Sequence, residues 1–288
     1  MAQFGYTMMT EQAGPRTLVE DVVGAERAGF DFSVASDHYF PWLDSQGHAP
    51  YAWSVLGAAA QATSTIPLMT YVTCPTTRYH PAVVAQKAAT LQDLSEGRFR
   101  LGLGSGENLN EHVVGAGWPS PRVRLEMLEE AVEIIAALFD GGYVSRRGAH
   151  FAVDRAKIWD LPATRVPIGV AVSGRRSCEI AGRLADLVIA TEPERELLTV
   201  FDRFGGTGKP RRFGHGCPAV VRASERSGPV RATGARAVRC QAPCTPSAVS
   251  LPPMRKGSRR TGRVLLQRDE VPVPGREHGL QDPPRSRE

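Results

Sequence analysis

The sequence predicts an α/β protein built as a parallel (β/α)₈ barrel that is truncated after about six βα units. Segments typical of strands and helices alternate along residues 1–210. Polar and charged residues gather directly after the strands, where a barrel places its active site. Beyond residue 210 the composition changes abruptly, before the two further units that a closed barrel needs. A doubly wound open sheet is the structural alternative.

The strands are predicted from short runs that are apolar or alternate between apolar and polar residues. The first run is short and apolar, the second (FDFSVA) alternates, and the fourth leads into a glycine-rich loop. The other runs are continuous and apolar, as expected for strands covered on both faces. The predicted strands are residues 4–8, 30–35, 66–72, 98–104, 166–172 and 187–190.

The helices are predicted from apolar positions that recur with helical spacing. The first helix begins with Pro15 and carries Leu18, Val22 and Ala25 on one face. The fourth has the clearest pattern, and Gly97 follows the third as a helix-ending glycine commonly does. The predicted helices are residues 15–28, 53–63, 81–94, 122–139 and 175–185.

The two parts of the chain differ in charge and in proline content. Residues 1–210 hold 19 Lys and Arg against 24 Asp and Glu, whereas residues 211–288 hold 16 against six, together with ten prolines. We therefore expect an incomplete barrel domain over 1–210 and an Arg/Pro-rich tail over 211–288. A nucleic-acid-binding arm is disfavoured, because the tail has a single aromatic residue and no stacking platform. A disordered tail remains an alternative. Translation of GC-rich coding DNA out of frame explains this composition better than disorder does.

Two further features bound the class of protein. There is no apolar run of 18 residues and no charged start followed by an apolar stretch, so we expect a cytoplasmic protein without a membrane anchor. The five cysteines form no CxxC pair and have no zinc-ligand spacing, so neither a disulfide framework nor a metal site is expected. We expect a small-molecule substrate, and a homodimer stays open.

Several residues after the strands could carry chemistry. The loop from Gly102 to Glu107 could bring backbone amides close to an anion, although it is neither a dinucleotide fingerprint nor a P-loop. Asp37 and His38 end the second strand, with Trp42 close behind. Each feature also has a structural interpretation, namely a turn-forming glycine cluster, a hydrogen-bonded histidine and a core tryptophan.

Taken together, five motifs resemble one family. They are SDHYFPW (36–42), HAPYAW (48–53), PTTRYHPAVVAQ (75–86), RFRLGLGSGENLNE (98–111) and AVSG (171–174). They resemble the luciferase-like TIM-barrel oxidoreductases, and best the branch typified by F420-dependent glucose-6-phosphate dehydrogenase. The resemblance covers about residues 3–209. It implies coenzyme F420 as cofactor and hydride transfer between this deazaflavin and an alcohol or sugar-like carbinol.

The resemblance also implies roles for individual residues. His38 and Glu107 match the acid/base pair, with Glu107 as proton acceptor and His38 as donor. Trp42 and Thr191 match substrate positions, and the Tyr71–Val72 bond matches a non-proline cis peptide. The cofactor positions are Asp37, Cys74, Ser105, Gly106, Asn110, Ser173, Gly174, Arg176 and Ser177.

Departures from the family pattern leave alternatives open. Cys74 replaces a threonine that contacts the cofactor, and Glu194 replaces a lysine that binds a sugar phosphate, so glucose 6-phosphate is disfavoured as substrate. An FMN-dependent luciferase-like monooxygenase and a catalytically inactive truncated fragment are the rival functions. A barrel ending after six units would leave the first and sixth strands with unpaired backbone groups, so we expect weak activity and marginal stability.

Overall fold

The computed structural model describes residues 3–214, and these form alternating strands and helices. Helices begin where Pro15, Pro81 and Pro121 pre-set the backbone at the first turn. The strands are β1 Gly5–Met8, β2 Phe32–Ala35, β3 Leu68–Thr70, β4 Phe99–Leu103, β5 Val144–Arg147, β6 Ala152–Ala156, β7 Ile168–Ala171, β8 Leu187–Ala190 and β9 Arg211–Phe213. The helices are α1 Pro15–Arg27, α2 Ala52–Ala62, α3 Pro81–Leu94, α4 Asn108–Glu111, α5 Pro121–Phe139, α6 Arg175–Leu184 and α7 Arg195–Phe201.

Seven strands form one parallel sheet in the order β1-β2-β3-β4-β7-β8-β9. Successive strands are joined through helices, as parallel neighbours require. Side chains alternate between the two faces of each strand, so the sheet separates two apolar clusters. Leu101 and Ile168 belong to the large cluster between sheet and helices. Val34, Met69 and Ile189 belong to a small cluster on the other face. The predicted α/β barrel class is confirmed as a parallel half-barrel with helices packed on one face.

Several elements depart from the sequence-based expectation. An antiparallel hairpin of β5 and β6 stands outside the main sheet and has no counterpart among the predicted strands. Its exposed, arginine-rich β5 lacks the apolar pattern by which strands were predicted. The short helices α4 and α7 were also missed, because four and seven residues carry too few helical repeats to be recognised.

The expectation of an unpaired sixth strand is wrong. β9 pairs in parallel with β8, with Val188 opposite Arg211 and Ala190 opposite Phe213. Paired structure therefore extends past the composition change at residue 210. Within residues 3–214, β1 pairs with β2 alone. The rest of the Arg/Pro-rich tail, with the interpretations attached to it, lies outside the described residues.

None of the helices within residues 3–214 is long and apolar enough to cross a bilayer.

The acid stability of this fold should depend on Glu26 near the end of α1. Its carboxylate accepts the amides of Ser64, Thr65 and Ile66 and so fixes the approach to β3. Although partial burial acts to raise the pKa of Glu26, these donors lower it from 4.5 to about 2. Stabilisation by Glu26 is thus full above pH 4.5 and is lost as the pH falls towards 2.

Thermal melts of Glu26→Gln should show a loss of about 1 kcal/mol at neutral pH, a figure reduced for the solvent exposure of Glu26. The difference from the unmutated protein should shrink between pH 4.5 and 2. Glu20→Gln, at an exposed position of the same helix, should show no such dependence. A loss at Glu26 that is constant with pH would refute this role.

Candidate active site

A cleft of ≈ 410 Å³ opens at the carboxyl ends of the parallel strands. Polar residues that follow different strands converge there, because parallel strands end at one edge of their sheet. Ten of the residues predicted for the site line this cleft: Asp37, His38, Trp42, Cys74, Ser105, Gly106, Glu107, Asn110, Ser173 and Thr191.

His38 is backed by a buried carboxylate from another strand end. Its Nδ1 lies 2.5 Å from Oε1 of Glu11, which follows β1. Burial acts to raise the pKa of Glu11, but the hydrogen bond and charge of His38 hold it below its ordinary value. The pairing occupies Nδ1 and leaves Nε2 as the ring nitrogen available to a ligand. Trp42, 55% exposed, meets the His38 ring edge-on at 5.3 Å between ring centroids.

Asp37 lines the cleft but is only 2% exposed. The indole of Trp53 and the hydroxyl of Thr73 donate to Oδ2 at 3.0 and 2.8 Å. The Tyr79 hydroxyl donates to Oδ1 at 3.2 Å, and the Arg78 guanidinium lies 3.5 Å from the same oxygen. A buried carboxylate needs such donors to stay charged. The resemblance implied a cofactor contact, whereas the structure engages both oxygens with protein groups.

The glycine-rich loop after β4 packs tightly on the loop after β3. A Cβ at Gly104 would lie 2.6 Å from Cγ2 of Val72, and one at Gly106 would lie 2.5 Å from Sγ of Cys74. Gly106 also has φ +77°, which favours glycine. Within residues 3–214, the amides of Ser105 and Gly106 donate to no protein acceptor. They are therefore available to a ligand.

Three neighbours of this loop complete one wall. The Tyr71–Val72 peptide bond is cis, as the resemblance implied. Burial raises the pKa of the Cys74 thiol to about 11, so the thiol is neutral near pH 7. The Thr76 hydroxyl lies 3.1 Å from this sulfur. The wall is thus largely uncharged.

Glu107 and Asn110 belong to the start of α4 and differ in environment. The Glu107 side chain is exposed, and in the described part of the chain its carboxylate has no hydrogen-bond or ion-pair partner. The Asn110 side chain is buried, and its Oδ1 accepts the amides of Tyr39 and Phe40 at 2.8 and 3.2 Å. Asn110 thereby fixes the segment that follows His38.

The start of α6 gives a mixed result for the predicted phosphate contacts. The Ser177 hydroxyl accepts the amides of Ser173 and Gly174 and so shapes the turn. Arg176 is exposed and pairs with Glu129 and Glu179, away from the cleft lining. The structure therefore does not bring Gly174, Arg176 and Ser177 into the cleft lining with Ser173. The first-turn amides of α6 still lack intrahelical acceptors, which suits an anion.

Three residues of the site, Glu11, Arg78 and Glu111, were not predicted from the sequence. Glu11 follows a strand, so the rule that active-site residues follow strands could have found it. The Arg78 guanidinium pairs with the Glu111 carboxylate at 2.9 Å, and Glu111 lines the cleft. Nothing in the spacing of these two residues signals their contact.

The chain is similar to a set of known enzymes. Residues 1–205 match the luciferase-like monooxygenase family. The chain is 45% identical over 200 residues to an F420-dependent glucose-6-phosphate dehydrogenase of Beutenbergia cavernae, covering 69% of this chain and 60% of the relative. It is 43% identical over 186 residues to an F420-dependent hydroxymycolic acid dehydrogenase of Mycobacterium tuberculosis, covering 65% and 52%. The chain thus spans less than two thirds of the length of these relatives.

Solved structures agree with this similarity. An F420-dependent secondary alcohol dehydrogenase, solved in complex with an F420-acetone adduct, superposes with a TM-score of 0.68 at 33% identity. The match covers 70% of this chain and 63% of that one. A coenzyme F420 dependent tetrahydromethanopterin reductase of Methanopyrus kandleri shares the fold at 24% identity, with a TM-score of 0.59 over 71% of this chain and 60% of that one.

Because Gly106 is closely packed, adding a methyl group there should lower the free energy of unfolding substantially. Gly106→Ala combines a left-handed backbone with a clash against Cys74, whereas Gly115→Ala, at φ +70°, meets no atom within 4 Å. We expect about 1 kcal/mol of destabilisation for Gly115→Ala and about 1–3 kcal/mol more for Gly106→Ala. Chemical denaturation measures both. Equal losses would show that the two loops are not in close contact.

Proposed function

The chain belongs to the luciferase-like monooxygenase family, and we propose that it is an F420-dependent oxidoreductase acting on a carbinol. It would transfer a hydride between the deazaflavin and an alcohol or sugar-like carbinol carbon. One observation carries the proposal. A single cleft brings together His38, backed by Glu11, and the carboxylate of Glu107, which has no partner within residues 3–214, beside glycine loops with available amides.

The residues present fit this cofactor. The side chains of Tyr71, Val72, Ala171 and Ile189 give the cleft an apolar wall for a planar ring system. The amides of Ser105 and Gly106 can donate hydrogen bonds to polar atoms of the deazaflavin ring, because within residues 3–214 they donate to no protein acceptor. The first turn of α6, beside Ser173, offers amides to a phosphate. Asp37 lines the cleft as a buried residue whose two oxygens are bound by protein donors.

When bound, the deazaflavin supplies a ring carbon that exchanges a hydride with the carbinol carbon. The Glu107 carboxylate is suited to take the hydroxyl proton of an alcohol, because it lines the cleft and has no partner among the described residues. Its oxygens stay free to accept that proton, whereas those of Asp37 and Glu111 are held by buried donors. We therefore assign Glu107 as proton acceptor.

His38 is suited to hold and donate a proton at Nε2. The adjacent Glu11 carboxylate lies 2.5 Å from Nδ1 and so fixes the ring orientation. Oxidation of an alcohol by hydride loss needs an acceptor for the hydroxyl proton and a positive group near the newly reduced ring. One carboxylate and one carboxylate-backed imidazole in different environments divide these roles.

The charges around the cleft bear on the substrate. Among the lining residues that the structure describes, Asp37, Glu107 and Glu111 are acidic and none is Lys or Arg. Glu194 follows Thr191 on the same loop but is not among the lining residues. Carboxylates repel a phosphate. We therefore propose an uncharged carbinol, with Trp42 beside it, rather than glucose 6-phosphate.

Substitution of the acid/base pair should separate chemistry from binding. His38→Ala and Glu107→Gln should each lower turnover by about 10²–10⁴-fold, the usual effect of removing a proton-transfer group. Their affinity for F420, measured by fluorescence titration, should change by less than about fivefold, since neither group supplies the main cofactor contacts. His48→Ala, at an exposed histidine outside the cleft lining, is the matched control.

Three results would contradict the proposal. Full turnover in both variants would remove the catalytic assignment. Saturable binding of FMN by the unmutated protein, with no binding of F420, would favour the monooxygenase alternative. An absence of binding to either cofactor would favour an inactive fragment.

A further inference from the structure

We propose that Arg78 is a positioning residue that holds His38 and Glu107 in fixed relation across the cleft. The inference rests on the function proposed above, since it concerns the same acid/base pair. Arg78 lies in the loop between β3 and α3, on neither of the segments that carry the pair. Its side chain is 6% exposed, although it carries a full charge.

The guanidinium contacts both segments at once. Nη2 donates to the carbonyl oxygen of Asp37 at 2.5 Å, and Asp37 directly precedes His38. Nε donates to Oε1 of Glu111 at 2.9 Å. Glu111 lies one helical turn beyond Glu107, and its amide donates to the Glu107 carbonyl at 3.1 Å. One side chain therefore links the segment after β2 to the last residue of α4.

A second, uncharged link joins the same two segments. Oδ1 of Asn110 accepts the amides of Tyr39 and Phe40, immediately after His38. The Arg78 amide also donates to Oε2 of Glu111 at 2.9 Å, so both oxygens of that carboxylate are bound by one residue. Together these bonds restrain how His38 and Glu107 can move relative to each other.

The chemistry of the link favours arginine over lysine. Glu111 is 1% exposed, so its charge needs a partner of opposite sign. Although burial acts to lower the pKa of Arg78, Asp37 and Glu111 raise it above its ordinary value. A planar guanidinium can reach the Asp37 carbonyl and the Glu111 carboxylate simultaneously. A lysine ammonium group is compact, so it can form a good hydrogen bond to the Asp37 carbonyl or to the Glu111 carboxylate but not to both.

Arg98 provides a matched control for a purely structural role. Its guanidinium donates to the carbonyls of Ala60, Thr63 and Ile66 and to the Thr63 hydroxyl. Like Arg78 it is densely hydrogen-bonded and lies outside the cleft lining, but its partners are not the lining residues Asp37 and Glu111. Arg98→Lys should therefore lower stability without changing the catalytic pair.

The first experiment needs no cofactor and uses the full 288-residue chain. Hydrogen exchange is followed by mass spectrometry in the unmutated protein, Arg78→Lys, Glu111→Gln and Arg98→Lys. In the first two variants, exchange should become about 10-fold faster in peptides covering 38–42 and 107–112, because local opening becomes easier. In Arg98→Lys the faster exchange should be confined to peptides covering 60–66.

The second experiment separates positioning from stability by kinetics. Arg78→Lys should lower kcat by about 10–100-fold, because misplaced groups lose rate, with KM and F420 affinity within about threefold. In a His38→Ala background the same change should lower kcat by clearly less than it does in the unmutated protein, since one of the two groups that Arg78 positions is gone. Arg98→Lys should leave kcat unchanged even where it lowers the melting temperature.

Opposite results would overturn the proposal. If Arg78→Lys lowers the melting temperature as Arg98→Lys does, while exchange in 38–42 and 107–112 is unchanged, Arg78 only stabilises the fold. Full additivity with His38→Ala would give the same conclusion. If the unmutated protein fails to bind F420, the proposed function fails, and the exchange result still decides whether Arg78 restrains the two segments.

Discussion

The buried carboxylate of Asp37 is the constraint on which the organisation of this cleft depends. A charge beneath an apolar wall is stable only where several donors surround it, and the chain supplies them from three places. Trp53 belongs to α2, Thr73 follows β3, and Tyr79 and Arg78 precede α3. Satisfying one carboxylate therefore draws these elements together under the residue that precedes His38. The geometry of the cleft therefore depends on the hydrogen bonds that the buried Asp37 carboxylate requires.

The same principle explains why the acidic residues of the cleft can have different tasks. Glu11 is committed to His38, and Glu111 is committed to Arg78. Glu107 is exposed and has no partner among the described residues, so it alone of these three is free to exchange a proton with a bound alcohol. Burial and pairing thus distinguish the two positioning carboxylates from the reactive one, although all three residues are glutamates.

Much of this arrangement could be predicted from the sequence, because it follows from local patterns. The parallel strands were found from apolar runs, and the placement of His38, Ser105 and Glu107 followed from the rule that active-site residues follow strands. Contacts between distant segments left no such pattern. The engagement of Asp37 by protein donors, the pairing of Arg176 with Glu129 and the strand at Arg211–Phe213 depend on three-dimensional packing. The arginine-rich composition gave no indication of that strand, yet β9 with its two arginines pairs in parallel with β8.

Transfer of deuterium from a labelled carbinol tests the central claim most directly. The full chain would be incubated with oxidised F420 and a secondary alcohol, such as propan-2-ol, that carries deuterium on its carbinol carbon. The account predicts that the reduced deazaflavin gains one deuterium, detected by mass spectrometry, and that the ketone forms in equal amount. Glu107→Gln should slow this transfer. Reduction of F420 with hydrogen from water alone, or alcohol oxidation that requires FMN and oxygen, would contradict the account.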